Sequence, residues 1–173
     1  MITWHTQIAY GSSASNLDDR RLGVQKDEVL ALLDDLTIGD GKELAPVHRM
    51  WVGYEYALCI YGMFHCMEWT INRGFTDKVF WTLGRAVQEL GGSYEAPPWL
   101  KDKDVIRSHR SNLMRRWPRH YNWPGTPENL PYIWPIVDYD GGYQLMVAKE
   151  DRELLAVGER TIPKRMRERI ANL

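Results

Sequence analysis

At 173 residues, with 44% apolar content and a net charge of −1, the chain is long enough for one domain with a single core and too apolar to be disordered. No apolar run approaches about 18 residues and no charged-then-apolar leader opens the sequence, which argues against a membrane protein and predicts a cytoplasmic, intracellular one. The near-neutral total conceals a basic stretch, Lys101 to Tyr121, with seven cationic side chains against two carboxylates; this suits an anionic partner or a solvated helix.

In chain order, Ile2 and Trp4 suggest extended structure that passes into a small-residue loop from Gly11 to Asn16. A helix follows from near Asp18 or Asp27 to Leu36, and either acidic residue can cap it or complement its dipole. Its first part, LDDRRLGVQKDE from Leu17 to Glu28, has only a thin apolar stripe, Leu22, Val24 and Val29, among crowded charges. Pro46 suits the first turn of the next helix. That helix is expected to reach about Asn72 and, being apolar nearly all round, to form a long buried central element. On it, His65 and Glu68 are spaced to pair. Cys59 and Cys66, two turns and about 10 Å apart, are beyond disulfide reach and read as reduced and buried.

Thr76 or Asp77 can cap a third helix that Gly91-Gly92 stops after Leu90. Glu95 to Leu100, with Pro97-Pro98, forms a rigid connector. A fourth helix runs from about Asp102 to Trp117 and is ended by Pro118. Asp140-Gly141-Gly142, between the apolar stretches of Tyr132 to Val147, marks a hairpin, and Pro163 opens a last basic helix to Asn172. The expected fold is mainly α: a compact single-domain helical bundle with at most a small β-hairpin near the C-terminal part.

The five histidines and two cysteines show no metal-binding spacing, and no GxGxxG or Walker loop is present, so no metal, cofactor or nucleotide cofactor is expected. What remains is carboxylates beside cations. Arg21, Gln25 and Glu28 share one helical face. A carboxylate near an arginine and an amide is held ionised, which suits charge stabilisation or general-base work; surface ion-pair ladders look the same. Arg107, Arg110, Arg115 and Arg116 wrap the end of the fourth helix, with Trp117, Tyr121 and Trp123 as stacking surfaces. Such a helix end can hold phosphates or complement its own dipole.

Taken together, LDDRRLGVQKDEVLALL, PVHRMWVGYEYALCIYGMFHCMEW, IRSHRSNLMRRWPRHY and LPYIWP resemble the pyrimidine-dimer DNA glycosylase family of the endonuclease V type, in its phage and bacterial branch. The resemblance covers residues 1–136, and residues 137–173 read as a C-terminal extension. It implies a helical repair enzyme that flips a nucleotide from double-stranded DNA, cuts the glycosidic bond of a UV dimer and nicks by β-elimination as an AP lyase. The implied catalytic groups are Glu28 and an N-terminal α-amine. The family prototype exposes a threonine amine; here Ile2 hinders removal of the initiator, which leaves the amine on Met1, with Lys26 as a substitute amine if it is buried. The implied DNA contacts are Arg20, Arg21, Gln25 and Lys26 on the first helix. On the basic helix they are Arg107, His109, Arg110, Arg115 and Arg116. An enzyme acting on a modified base or nucleotide on the same scaffold, and a non-catalytic DNA-binding module, are the other readings these residues allow.

Overall fold

The computed structural model describes residues 3–38, 44–138, 140–148 and 168–171. They fall into two compact units, Met1–Pro97 and Pro98–Leu173. The boundary expected between residues 136 and 137 falls inside the first β-strand. The fold is mainly α, as the periodicity predicts. No helix among the described residues is long and apolar enough to cross a membrane.

The first unit holds α1 (Tyr10–Ser15), α2 (Asp19–Ile38), α3 (Pro46–Arg49), α4 (Glu55–Met67) and α5 (Val79–Leu90). The expected loop at Gly11 to Asn16 is largely α1. Its small residues gain helix from tertiary contact: Tyr10, Ser13 and Ala14 are buried, and Ser13 fastens onto the chain segment before it. Asp18 caps α2, its Oδ1 accepting from the Arg21 N–H at 3.3 Å.

On α2 the buried residues are Leu22, Gln25, Lys26, Val29, Leu32 and Leu33, the i, i+3, i+4, i+7 pattern of a core-facing stripe. Val24, assigned to that stripe from sequence, is 51% exposed because it projects from the opposite side. The places between Leu22 and Val29 on the stripe are taken by two polar residues, Gln25 and Lys26.

The long helix expected from Pro46 is interrupted. After α3 the chain turns at Met50 to Tyr54, where Gly53 adopts φ +78°, a left-handed conformation that glycine tolerates without penalty. Beyond α4, residues Glu68–Asn72 form a π-helical turn, with the Arg73 N–H reaching the Glu68 carbonyl at 3.1 Å. The central segment is therefore buried as expected but built of three pieces. Close approach explains its glycine: a Cβ on Gly62 would lie 2.7 Å from both Leu83 Cδ1 and Val29 Cγ1. There α4 meets α5 and α2. Asp77 starts α5 by accepting from the Val79 N–H at 3.0 Å, and Gly91, at φ +63°, ends it.

The second unit consists of α6 (Lys103–Arg116) and a small sheet of β1 (Ile133–Val137), β2 (Tyr143–Val147) and β3 (Ile170–Ala171). Strands β1 and β2 form the expected antiparallel hairpin, Ile133 opposite Val147, and β3 adds a short parallel edge to β2. Val105 of α6 packs with Ile133, Leu145 and Val147. Asp102 caps α6, accepting from the Asp104 N–H at 2.8 Å. The Asp102 carboxylate also receives the Tyr143 hydroxyl and an Arg169 N–H, each at 2.6 Å. Burial works to raise its pKa, but these donors outweigh burial and hold it below the usual carboxylate range. Of the last helix expected from Pro163 to Asn172, residues 163–167 and 172 lie outside the described residues, and Ile170–Ala171 is strand.

Candidate active site

The candidate catalytic edge runs along α2. Arg21 and Glu28 are half-buried beside the core-facing stripe, and Gln25 lies within it. The Arg21 Nη1–H donates to Asp18 Oδ2 at 2.7 Å, an i, i+3 ion pair that aims the guanidinium toward the start of the helix. Gln25 is fully enclosed. Its Oε1 accepts the backbone N–H of Trp4 at 2.7 Å, so it holds the N-terminal segment rather than facing outward.

From the neighbouring helix, the Tyr61 hydroxyl donates to the Trp4 carbonyl at 2.8 Å. Burial pushes the Tyr61 phenol well above its ordinary pKa, and the negative charge of Glu28 adds to that shift. Tyr61 thus stays a neutral donor with the Glu28 carboxylate in its field. Neither Tyr61 nor Ser13 was singled out from sequence as a site residue. The available signal was a tyrosine in an otherwise apolar helix, since a buried phenol needs a hydrogen-bond partner. Met1, the other predicted catalytic residue, lies outside the described residues.

Lys26 is on the other edge of the stripe and is buried. Its Nζ–H donates to Asp27 Oδ1 at 2.6 Å and lies 3.3 Å from Asp77 Oδ1, 5.7 Å from the centre of the Trp69 ring. Burial alone would lower its pKa, but the two carboxylates raise it above the ordinary lysine value. A substitute nucleophile needs the opposite shift, so burial without neutrality removes Lys26 from that role. Arg20 is exposed on the outer face.

Arg73 secures the start of α2. Its Nε–H donates to Glu68 Oε1 at 2.9 Å, one Nη–H pairs with Asp19, and the other reaches the Leu17 carbonyl at 2.9 Å. The predicted His65–Glu68 pair does not form. Glu68 is taken by Arg73 and Asn72, while the His65 Nδ1–H donates to the Tyr61 carbonyl at 2.7 Å.

His65 is fully buried against the Tyr61 ring, and burial, helped by nearby His5 and opposed by the Tyr61 carbonyl and Glu68, lowers its pKa to about 4. Between the ordinary histidine value of about 6.5 and that folded value, the unfolded chain binds the extra proton. Stability is therefore expected to fall as pH drops from about 6.5 to 4, by roughly 3 kcal/mol in total. Urea denaturation at intervals of half a pH unit measures it, and a His65→Gln variant should lose most of the slope. A variant as acid-sensitive as the parent would dismiss His65 as its source.

Both cysteines are free and buried, and burial pushes Cys59 up to about 11 and Cys66 higher still, so neither is an activated thiol. Among the described residues, no group of three His, Cys, Asp or Glu side chains is placed to hold a metal ion.

In the second unit, the SHRSNLMRR stretch works mainly inward. The Ser108 hydroxyl donates to the Pro131 carbonyl and accepts the Ile133 N–H, both at 2.8 Å, while Ser111 Oγ accepts the Leu130 N–H at 2.9 Å. His109, predicted to contact DNA, is fully buried instead. Its Nε2–H donates to the Ile133 carbonyl at 3.2 Å, and its ring meets Tyr132 and Trp134 edge-on. Arg115 donates to the Leu130 carbonyl at 2.9 Å. The motif is thus a clasp on the Leu130–Ile133 segment. Arg110 is half-buried with its guanidinium 5.7 Å from the centre of the Trp123 ring, and burial lowers its pKa. Trp123 stacks in turn on Tyr121 at 5.3 Å. Arg107 is half-buried and Arg116 exposed.

No curated protein and no solved structure matches the chain. A family model does match, that of the pyrimidine dimer DNA glycosylases, over residues 1–83. The matched residues include all of α1 to α4, the Trp4 segment and Glu28. Through residues 1–83 the chain is similar to the pyrimidine dimer DNA glycosylases, a family of DNA-repair enzymes.

Proposed function

We propose that this protein excises a UV-type pyrimidine dimer from double-stranded DNA and then nicks the strand, with Glu28 and the α-amine of Met1 as its catalytic groups. The observation that carries the reading is the fastening of Trp4 to Gln25, one turn before Glu28 on the same edge of α2. Three residues of extended chain span about 10 Å, which supports an α-amine at residue 1 within reach of the glutamate.

In this mechanism the damaged nucleotide is flipped out, at a cost that the lesion's weakened pairing and stacking reduce. The amine attacks the sugar C1′ as the C1′–N bond breaks, and the electron pair of that bond leaves with the base. The Glu28 carboxylate stabilises the cationic character at the sugar and handles protons as the ring opens to a Schiff base. The same carboxylate then takes a C2′ proton, the 3′-phosphate departs by β-elimination, and water hydrolyses the imine to release the enzyme. Arg20 and Arg21 flank this edge and are proposed phosphate contacts. Arg107, Arg110, Arg115 and Arg116 of the second unit are proposed to add to the DNA affinity. The reading makes the protein an intracellular, DNA-associated enzyme.

The test is incubation of the full chain with UV-irradiated and undamaged duplex DNA, with and without borohydride. Strand cleavage confined to irradiated DNA, together with a trapped adduct that peptide mapping places on residue 1, is the expected result. Cleavage without trapping would replace the amine by water as nucleophile. Binding without cleavage would leave a DNA-binding module and end the glycosylase reading.

A further inference from the structure

Residues 3–6 form neither helix nor strand, yet Thr3, Trp4, His5 and Thr6 are all buried. An irregular segment lacks a backbone ladder of its own, so its order depends on what other elements provide. Here side chains from several elements provide it. The Trp51 Nε1–H donates to Thr3 Oγ1 at 3.2 Å, and the Thr6 N–H donates to Ser13 Oγ at 2.9 Å. Trp4 is held most closely. Gln25 of α2 accepts from its N–H at 2.7 Å, and the hydroxyls of Tyr61 of α4 and Ser13 of α1 donate to its carbonyl at 2.8 and 3.2 Å.

Neither Gln25 nor Tyr61 suits the protein interior without a partner, because a buried amide or phenol left unpaired is costly. Both stand on faces that are mostly apolar, Gln25 among Leu22, Val29 and Leu32 and Tyr61 among Ala57, Leu58 and Cys66. The Tyr61 ring is further fixed by Tyr10 edge-on at 5.4 Å, Trp51 at 5.3 Å and His65 at 4.1 Å. A tyrosine packed on three sides has little freedom to release its acceptor.

We infer that Gln25 and Tyr61 are positioning residues of the reaction: gripping Trp4 at its N–H and its C=O, they set where the N-terminal segment passes Glu28. The inference rests on the catalytic reading above and assigns to these two side chains a task distinct from DNA contact or chemistry. Neither touches the reacting atoms. They act through the segment, by fixing the approach of the amine to the sugar.

Two variants of nearly unchanged shape test it, Gln25→Leu, which removes the acceptor, and Tyr61→Phe, which removes the donor. Each is expected to lower the single-turnover rate of adduct formation on irradiated duplex by roughly 10- to 100-fold, since a misplacement of about 1 Å costs that much. KM for the same duplex should stay within about twofold of the parent, because the DNA-facing side chains are untouched. Hydrogen exchange at the Trp4 amide should accelerate by at least about tenfold in both variants. Equal falls in rate and affinity, or an unchanged rate with accelerated exchange, would overturn the positioning role. Unchanged exchange would overturn the clamp itself. Should either variant misfold by circular dichroism, Ser13→Ala, which loosens the same carbonyl, is expected to shift rate and exchange in the same directions, and no shift would overturn the proposal. Failure of the parent to cleave irradiated DNA sinks the catalytic reading instead, and the exchange measurement still decides the clamp.

Discussion

Glu28→Gln is expected to reduce cleavage of irradiated duplex by about a thousandfold or more, while binding of the same duplex stays within about threefold, because general acid–base work alone contributes 10²- to 10⁴-fold. The substitution keeps shape and hydrogen-bonding reach but removes both properties the chemistry uses. An amide carries no charge to stabilise a sugar cation, and it cannot accept the C2′ proton. The proper contrast is Asp27→Asn, one residue away. Asp27 is exposed and turned away from the Gln25 edge, so its loss should alter cleavage by no more than about twofold once stability is accounted for. Single-turnover cleavage and gel-shift titration measure the two quantities. A Glu28→Gln protein that cleaves within tenfold of the parent would remove Glu28 from the mechanism.

The largest expected effect on stability is at Lys26. Its ammonium serves Asp77, whose side chain is only 4% exposed and whose Oδ1 is 3.3 Å away. Removing one partner of a buried pair strands the other charge, at a cost of about 3–5 kcal/mol. Lys26→Met, similar in length and apolar, is expected to destabilise by about that amount in urea denaturation at pH 7.

The pH dependence should also weaken. In the parent, burial works to raise the Asp77 pKa, but the Val79 N–H, Cys66 and Lys26 together hold it below the ordinary carboxylate value. The corresponding stability is present above the unfolded value of about 4 and is lost as pH falls through the folded one. Without Lys26, the Val79 N–H and Cys66 are left to oppose burial, so the Asp77 pKa moves up from its parent value and the loss of stability on acidification should be smaller in the variant than in the parent. A Lys26→Met/Asp77→Asn double variant should recover most of the loss, because no charge is left stranded. A single variant within about 1 kcal/mol of the parent would show that the pair is solvated and carries little.

Local signals account for what was legible in the chain. The capping carboxylates Asp18, Asp77 and Asp102, the stop at Gly91 and the Asp140-Gly141-Gly142 turn mark the ends of α2, α5 and α6 and the β1–β2 hairpin, because caps and turns are decided by a few neighbouring residues. Gly53 stood inside an apolar run whose helical period continues through it. Only the turn after α3 required its positive φ, so the break was not visible. The α1 segment has poor helix formers, so propensity alone predicts a loop, and the burial of Tyr10 and Ala14 outweighs it.

By itself, the sequence determined the mainly α class, the helix that carries Glu28, and, through its motifs, the resemblance to the family whose model residues 1–83 match. The tertiary structure decided which polar residues face inward. Gln25 and Lys26 complete the core stripe of α2, His109 lies beneath the hairpin strand, and Tyr61 reaches Trp4 from fifty-seven positions away. The reason is physical. Whether a polar side chain is tolerated inside depends on a partner distant in sequence, and neither composition nor periodicity records that partner. The charged segment from Leu17 to Glu28 therefore has one side that holds the N-terminal segment and one turned to solvent.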